Sequence, residues 1–288
     1  MIWILYSFLS AFGQSLKDVF SKHGLKDRDE YAVGWASSII AMVILIPIIY
    51  ITKIPTIDWQ FFRALLISGF LNVVALVFYM KAYKASDLSI TAPMLAFSPL
   101  FLLVTSPLIV NEYPNIYGVI GIILIVIGSY LLNINKRKTG YLMPFKILLS
   151  EAGPKYMLGV AFLWSISANF DKIGVVHSSP LFWVFALQVF IVITLFPVIV
   201  YRLKGRLPQL IKHARVIIPI GFFQVLNTFF SMAAIQLAFV SYVISIKRTS
   251  ALFSVIFGYL IFREKRIKER IVGAFVMVIG VLFITLFQ

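Results

Sequence analysis

The chain has 288 residues, of which 61% are hydrophobic and only 13% charged. Soluble domains carry about 45–50% apolar and about 25% charged residues, so a water-soluble globule is excluded. Net charge is +15, but the cations sit in short links between apolar runs, which points to anionic lipid headgroups and away from nucleic acid. Cysteine is absent, which removes disulfide and thiol chemistry.

Ten apolar spans follow one another, at roughly Ile2–Phe20, Tyr31–Ile51, Phe61–Met80, Leu88–Val110, Ile116–Leu132, Met157–Val176, Leu181–Tyr201, Val216–Leu237, Val240–Phe262 and Ile271–Phe287. The first lacks a basic leader and a small-residue cleavage site, so it reads as a retained helix. Most links are short and polar, such as Lys84–Asp87 and Asn111–Pro114, and favour antiparallel neighbours. The longest, Asn133 to Tyr156, carries Lys136, Arg137 and Lys138 and reads as the joint between two halves.

An internal repeat supports that division. Gly69–Leu132 lies over Gly221–Ile284 at a constant offset of 152 with 17 of 64 positions identical, among them Ser98/Ser250, Glu112/Glu264, Gly121/Gly273 and Gly128/Gly280. Each half holds five spans, and an odd number makes the second enter the membrane upside down relative to the first. The expected fold is an all-α membrane protein, ten transmembrane helices as two inverted five-helix repeats. Residues 1–135 form the first repeat, 136–156 the connecting loop and 157–288 the second repeat.

Basic residues set the expected orientation. With the N-terminus outside, 20 cations lie in cytoplasmic links, against Lys53 and Arg63 on the other side. The positive-inside rule therefore places both termini outside.

The paired segments Phe78–Glu112 and Phe230–Glu264, each ending in its acid, resemble the EamA-type family of the drug/metabolite transporter superfamily. The glycine-bearing last span of each half extends that likeness to nearly the whole chain. The resemblance implies a carrier in the cell membrane of a prokaryote, with a central cavity lined mainly by spans 1, 3, 4, 6, 8 and 9. Many members are drawn with both termini inside, whereas this charge bias points the other way.

Polar residues inside the spans are the candidate binding groups. Lys247 and Arg248 sit about a third of the way along the ninth span, where each would cost roughly 2.5–3.5 kcal/mol against lipid. At the repeat offset they face Leu95 and Ala96, so they are not scaffold. They either hold an anionic group of a substrate or tie the ninth span to a neighbour. Asp171 lies at a similar depth in the sixth span and is the natural counter-ion; pairing with adjacent Lys172 and relay of a proton are its other readings. Asn72 and Gln224 are a symmetric amide pair with Asn227 one turn on, suited to a substrate or to helix–helix bonds. Gln14, Asn169 and Trp164 are further candidates for the same cavity. Pro93, Pro99 and Pro107 predict a kinked fourth span. Glu112 and Glu264 are expected at the entries of the fifth and tenth spans, where carboxylates favour the helix dipole. Three scattered histidines predict no metal site, and no cofactor is expected.

The reading is a secondary carrier of a small metabolite, anionic by the cation pair, with the lipid bilayer and a coupling proton or ion as further partners. Export or flipping of drug-like or lipid-linked molecules is the alternative. A membrane-embedded transferase is disfavoured, because no aspartate-rich metal motif or phosphate loop is present. The orientation has a direct check. On this cysteine-free background, an impermeant thiol reagent added outside should label Ser179→Cys and spare Gln209→Cys; labelling of Ser179→Cys only from inside would overturn it.

Overall fold

The computed structural model describes residues 1–24, 30–52, 54–85, 92–133, 151–203, 214–262 and 271–287. The connecting loop through residue 150 lies outside these, as do Gln209 and Glu264. Among the described residues the chain is helical, and no strand occurs.

The helices are α1 (Ile2–Gly24), α2 (Glu30–Thr52), α3 (Trp59–Ala85), α4 (Ser98–Val110), α5 (Ile116–Asn133), α6 (Ala152–Val176), α7 (Pro180–Leu203), α8 (Ala214–Leu237), α9 (Val240–Lys247), α10 (Ser250–Phe262) and α11 (Ile271–Leu286), with a 3₁₀ segment at Ala92–Phe97. The fourth predicted span is thus the 3₁₀ segment plus α4, and the ninth is α9 plus α10. Among the described residues, five stretches are long and apolar enough to cross a membrane: Ala32–Thr52, Trp59–Tyr79, Pro180–Arg202, Ala214–Leu237 and Val240–Phe257. Three further apolar helices, Met94–Val110, Ile116–Leu132 and Ile271–Leu286, are shorter. α1 and α6 are long but carry charges, Lys17 and Asp18 in one and Lys155, Asp171 and Lys172 in the other.

The outside of the bundle is apolar, with Leu66, Phe70, Val104, Leu108 and Ile193 all more than half exposed. Its interior holds buried Ser10, Ser68, Ser167, Asn169, Asp171, Gln188, Asn227 and Ser231. That distribution reverses the one water imposes and suits a bundle whose solvent is hydrocarbon.

α3 packs along α6, α1 along α8, α5 along α11 and α2 along α7. Exchange of the two halves leaves this pattern unchanged: first span on eighth answers sixth on third, and the other two pairs map onto themselves. α5 and α11 meet at glycines. A Cβ on Gly121 would stand 2.7 Å from the Gly280 carbonyl oxygen, and one on Gly128 would stand 2.6 Å from that of Gly273. With little hydrophobic force between helices in lipid, such backbone contact supplies the packing.

The three prolines of the fourth span take different places, with Pro93 in the 3₁₀ segment. Pro99 stands in the first turn of α4, where an amide hydrogen has no acceptor to lose, so it starts a helix. Only Pro107 lies inside α4. Replacing Gly128 with Ala should lower the unfolding midpoint in detergent by the equivalent of about 1–3 kcal/mol, as overpacking does. Gly34→Ala is the control, since its Cβ would meet nothing within 4 Å; equal midpoints would show that the helices have room to part.

Candidate functional site

The ninth span breaks at its cations. Arg248 N–H bonds to the Ser245 carbonyl at 3.0 Å, Thr249 N–H to Ile246 at 2.9 Å, Ala251 N–H to Arg248 at 3.1 Å and Leu252 N–H to Thr249 at 2.8 Å. These are i→i+3 bonds, which tighten the chain into a 3₁₀ turn between α9 and α10. No proline is involved. The hydroxyls of Ser245 and Thr249 donate back to the carbonyls of Ser241 and Ile246 at 2.6 and 2.7 Å, a habit that bends helices. At the repeat offset, residues 244–249 correspond to 92–97, the 3₁₀ segment of the first half. Both halves therefore change helix type at the same place by different local chemistry.

From this turn the two cations part. Arg248 donates through Nη2 to the hydroxyl of Ser98, the first residue of α4, across the boundary between the halves. Its Nε is buried without a partner. Lys247 Nζ reaches Ser231 Oγ of α8 at 3.4 Å, within its own half. Lys247 also lies in the electrostatic field of Asp171, Asp18, Arg248 and Lys17.

Asp171 is buried on α6 and lies in the field of Lys247 without an ion-pair contact to it. Its Oδ1 accepts from Ser68 Oγ at 2.5 Å and from Trp183 Nε1 at 3.2 Å. Ser68 and Ser167 hydroxyls are 2.9 Å apart, and Asn72 donates to Ser167 Oγ at 2.8 Å and to the Ser68 carbonyl at 2.9 Å. Asn72 thus sits in the same α3–α6 network as Asp171.

A second polar chain joins α1 to α8. Ser10 donates to Asn227 Oδ1 at 2.9 Å, Asn227 Nδ2 to Gln14 Oε1 at 2.8 Å, and Gln14 Nε2 to Asp18 Oδ1 at 2.8 Å. Ser15 and Ser254 hydroxyls meet at 3.0 Å, fixing α1 on α10. Asp18 is exposed, and Lys17, Lys247 and Arg248 act on it electrostatically. Sequence reasoning missed Asp18, although a carboxylate 17 residues into a membrane helix is itself a signal.

The remaining candidates sit elsewhere. Gln224 bonds α2 and α7, accepting from Ser37 at 3.1 Å and donating to Gln188 Oε1 at 3.2 Å. Asn169 donates to Thr105 Oγ1 at 3.1 Å, and its Oδ1 is buried without a partner. Trp164 lies 6.1 Å from the Tyr79 ring and, like Leu95 and Phe97, packs on the buried cluster around Met94, Tyr130 and Met157. Apolar packing therefore surrounds Leu95, at the position where the second half carries Lys247.

Lys172 pairs not with Asp171 but with Glu112, and also donates to the Ala238 carbonyl at 2.9 Å. Val240 N–H, at the start of α9, donates to Glu112 Oε2 at 2.6 Å. Glu112 is thus buried and serves the N-terminus of α9 in the opposite half, not the entry of α5. A signal for Lys172 exists in the sequence: Ala11, Phe12, Ser15, Phe20, Lys22 and Gly24 recur as Ala161, Phe162, Ser165, Phe170, Lys172 and Gly174, at an offset of 150.

On the loop between α2 and α3, Asp58 accepts from Phe61 N–H at 3.1 Å and lies 2.7 Å from His177 Nδ1. The Phe61 amide, then His177, hold the Asp58 carboxyl below the usual carboxylate range. Among the described residues, no group of three or more His, Asp and Glu comes together to hold a metal.

A helical bundle with an apolar outside and polar and charged groups within has the make-up of a multi-pass membrane protein. A family model described as the EamA-like transporter family matches residues 1–134 and 152–286. The chain belongs to that family, and so to the drug/metabolite transporter superfamily. A solved structure titled only as a crystal structure of a protein is similar over 99% of this chain and 96% of its own, with a TM-score of 0.75 and 12% identity. At that identity the likeness shows the fold alone. No curated protein matches.

Replacing Lys172 with Met leaves the buried Glu112 carboxylate without its cation and should lower stability by up to about 3 kcal/mol. Adding Glu112→Gln should recover part of that loss; additive losses in thermal unfolding would show that the two groups do not act as a pair.

Proposed function

We propose that this chain is a secondary carrier built as two inverted five-helix repeats, residues 1–135 and 157–288, joined by 136–156. It moves a small anionic metabolite by alternating access, in the cytoplasmic membrane of a prokaryote with both termini outside. Membership of a transporter family supports the class. Substrate charge and the inverted plan rest on the cation pair, the odd span count and the charge bias.

One observation carries the reading: Arg248 spans from the second half to Ser98 of the first at the two corresponding 3₁₀ turns. Its guanidinium is held by one neutral hydroxyl and keeps an unpartnered Nε. A carboxylate or phosphate oxygen is the better partner for a guanidinium, because both groups are charged and the geometry allows two parallel bonds. An anion arriving there would take Arg248 from Ser98 and so release a tie between the halves.

The test is uptake and counterflow in liposomes, with Arg248→Gln compared with the wild type. Loss of a charge-assisted bond worth about 1.5–3 kcal/mol should weaken transport of an anion at least about tenfold at unchanged folded yield. Equal loss of yield and transport would assign Arg248 to structure alone.

A further inference from the structure

We propose that Asp171 takes up the proton that couples transport, and that proton and anion bind together because both answer to the charge of Lys247. This rests on the reading that Lys247 and Arg248 hold an anion.

The surroundings of Asp171 contain donors but no contacting cation. Ser68 and Trp183, both neutral, bond the same oxygen, Oδ1. Among the described residues no donor reaches Oδ2. Lys172, next in the chain, is turned to Glu112 and the Ala238 carbonyl. A bare carboxylate charge enclosed by protein within a bilayer is expensive unless a cation or proton compensates it. Oδ2 has room for that proton, while the bonds to Oδ1 fix the carboxyl group in place.

The charged groups on the elements packed around Asp171 leave one that acts on it. From α9, Lys247 lies in its field without touching it. Lys155 of α6 and Glu151, just before its first residue, lie more than about four turns away at 3.6 residues per turn. Arg63 and Lys81 of α3 are exposed, as are Arg202 of α7 and Arg215 of α8. His177, beyond the end of α6, is engaged with Asp58.

That arrangement links two equilibria. With Asp171 ionised, its negative charge offsets Lys247 and weakens the hold on an arriving anion. With Asp171 protonated, the field of Lys247 is free for the anion. Linkage is reciprocal, so the anion must favour protonation by the same factor. One proton and one negative charge then cross together, and no net charge moves.

Trp183 provides a reporter, since its indole donates to the carboxyl group in question. The probes are methanesulfonate and sulfate, which stay anionic throughout the range used. Added to purified protein in weak buffer with a pH dye, either probe should draw about one proton per chain. Its affinity should fall about fivefold or more from about pH 5.5 to about pH 8, within the usual range of coupling. Asp171→Asn should abolish proton uptake and the pH dependence while the probe still binds. Should that variant not fold, pH-dependent emission in the wild type that vanishes in Trp183→Phe decides in favour, and its absence decides against. Probe binding without proton uptake overturns this inference alone; no binding of either probe overturns the anion site beneath it as well.

Discussion

The cost of a bare charge in hydrocarbon governs this molecule. Lys247, Arg248, Asp171, Asp18, Lys172 and Glu112 all lie on or beside helices that are otherwise apolar, and each would be expelled from lipid. The bundle accommodates them by turning its polar side chains inward and its Leu, Ile and Phe outward. Lys172 and Glu112 satisfy one another, closing the end of the bundle where α4 meets the start of α9. The other four do not pair in contact with one another.

The scaffold is two-fold and the chemistry is not. Exchange of the halves preserves the helix packing, the position of the 3₁₀ turns and the glycine contact between α5 and α11. It does not preserve what occupies the turn: Leu95 packs on the same apolar cluster as Tyr79 and Trp164, while Lys247 reaches the Ser231 hydroxyl. A repeat is free to vary where its backbone is satisfied by other means. Proline surrounds one turn and hydroxyl back-bonding supports the other. A symmetric frame with a lopsided centre suits a carrier that must move two halves alike yet grip a substrate from one.

Much of this was legible in the sequence. Apolar runs marked a helical membrane protein, and the family resemblance rested on segments that do belong to the family. What failed were inferences needing a third dimension. Depth along two helices suggested that Asp171 meets Lys247, but depth leaves the rotation of each helix open, and Asp171 faces α3 and α7 instead. Glu112 was assigned to the helix that follows it, since sequence shows only neighbours; its partners lie 60 and 128 residues away. The break at Lys247–Thr249 was invisible because no proline announces it. Asp18 was readable from its place in α1 and was passed over.

The central claim is that the cations of the ninth span face the interior between the halves and that Arg248 reaches across it. A density map of the protein in lipid nanodiscs tests this most directly. The account requires side-chain density for Arg248 running to Ser98, with Lys247 turned towards Ser231 in the same interior. Density placing Lys247 and Arg248 on the lipid-facing surface would contradict it.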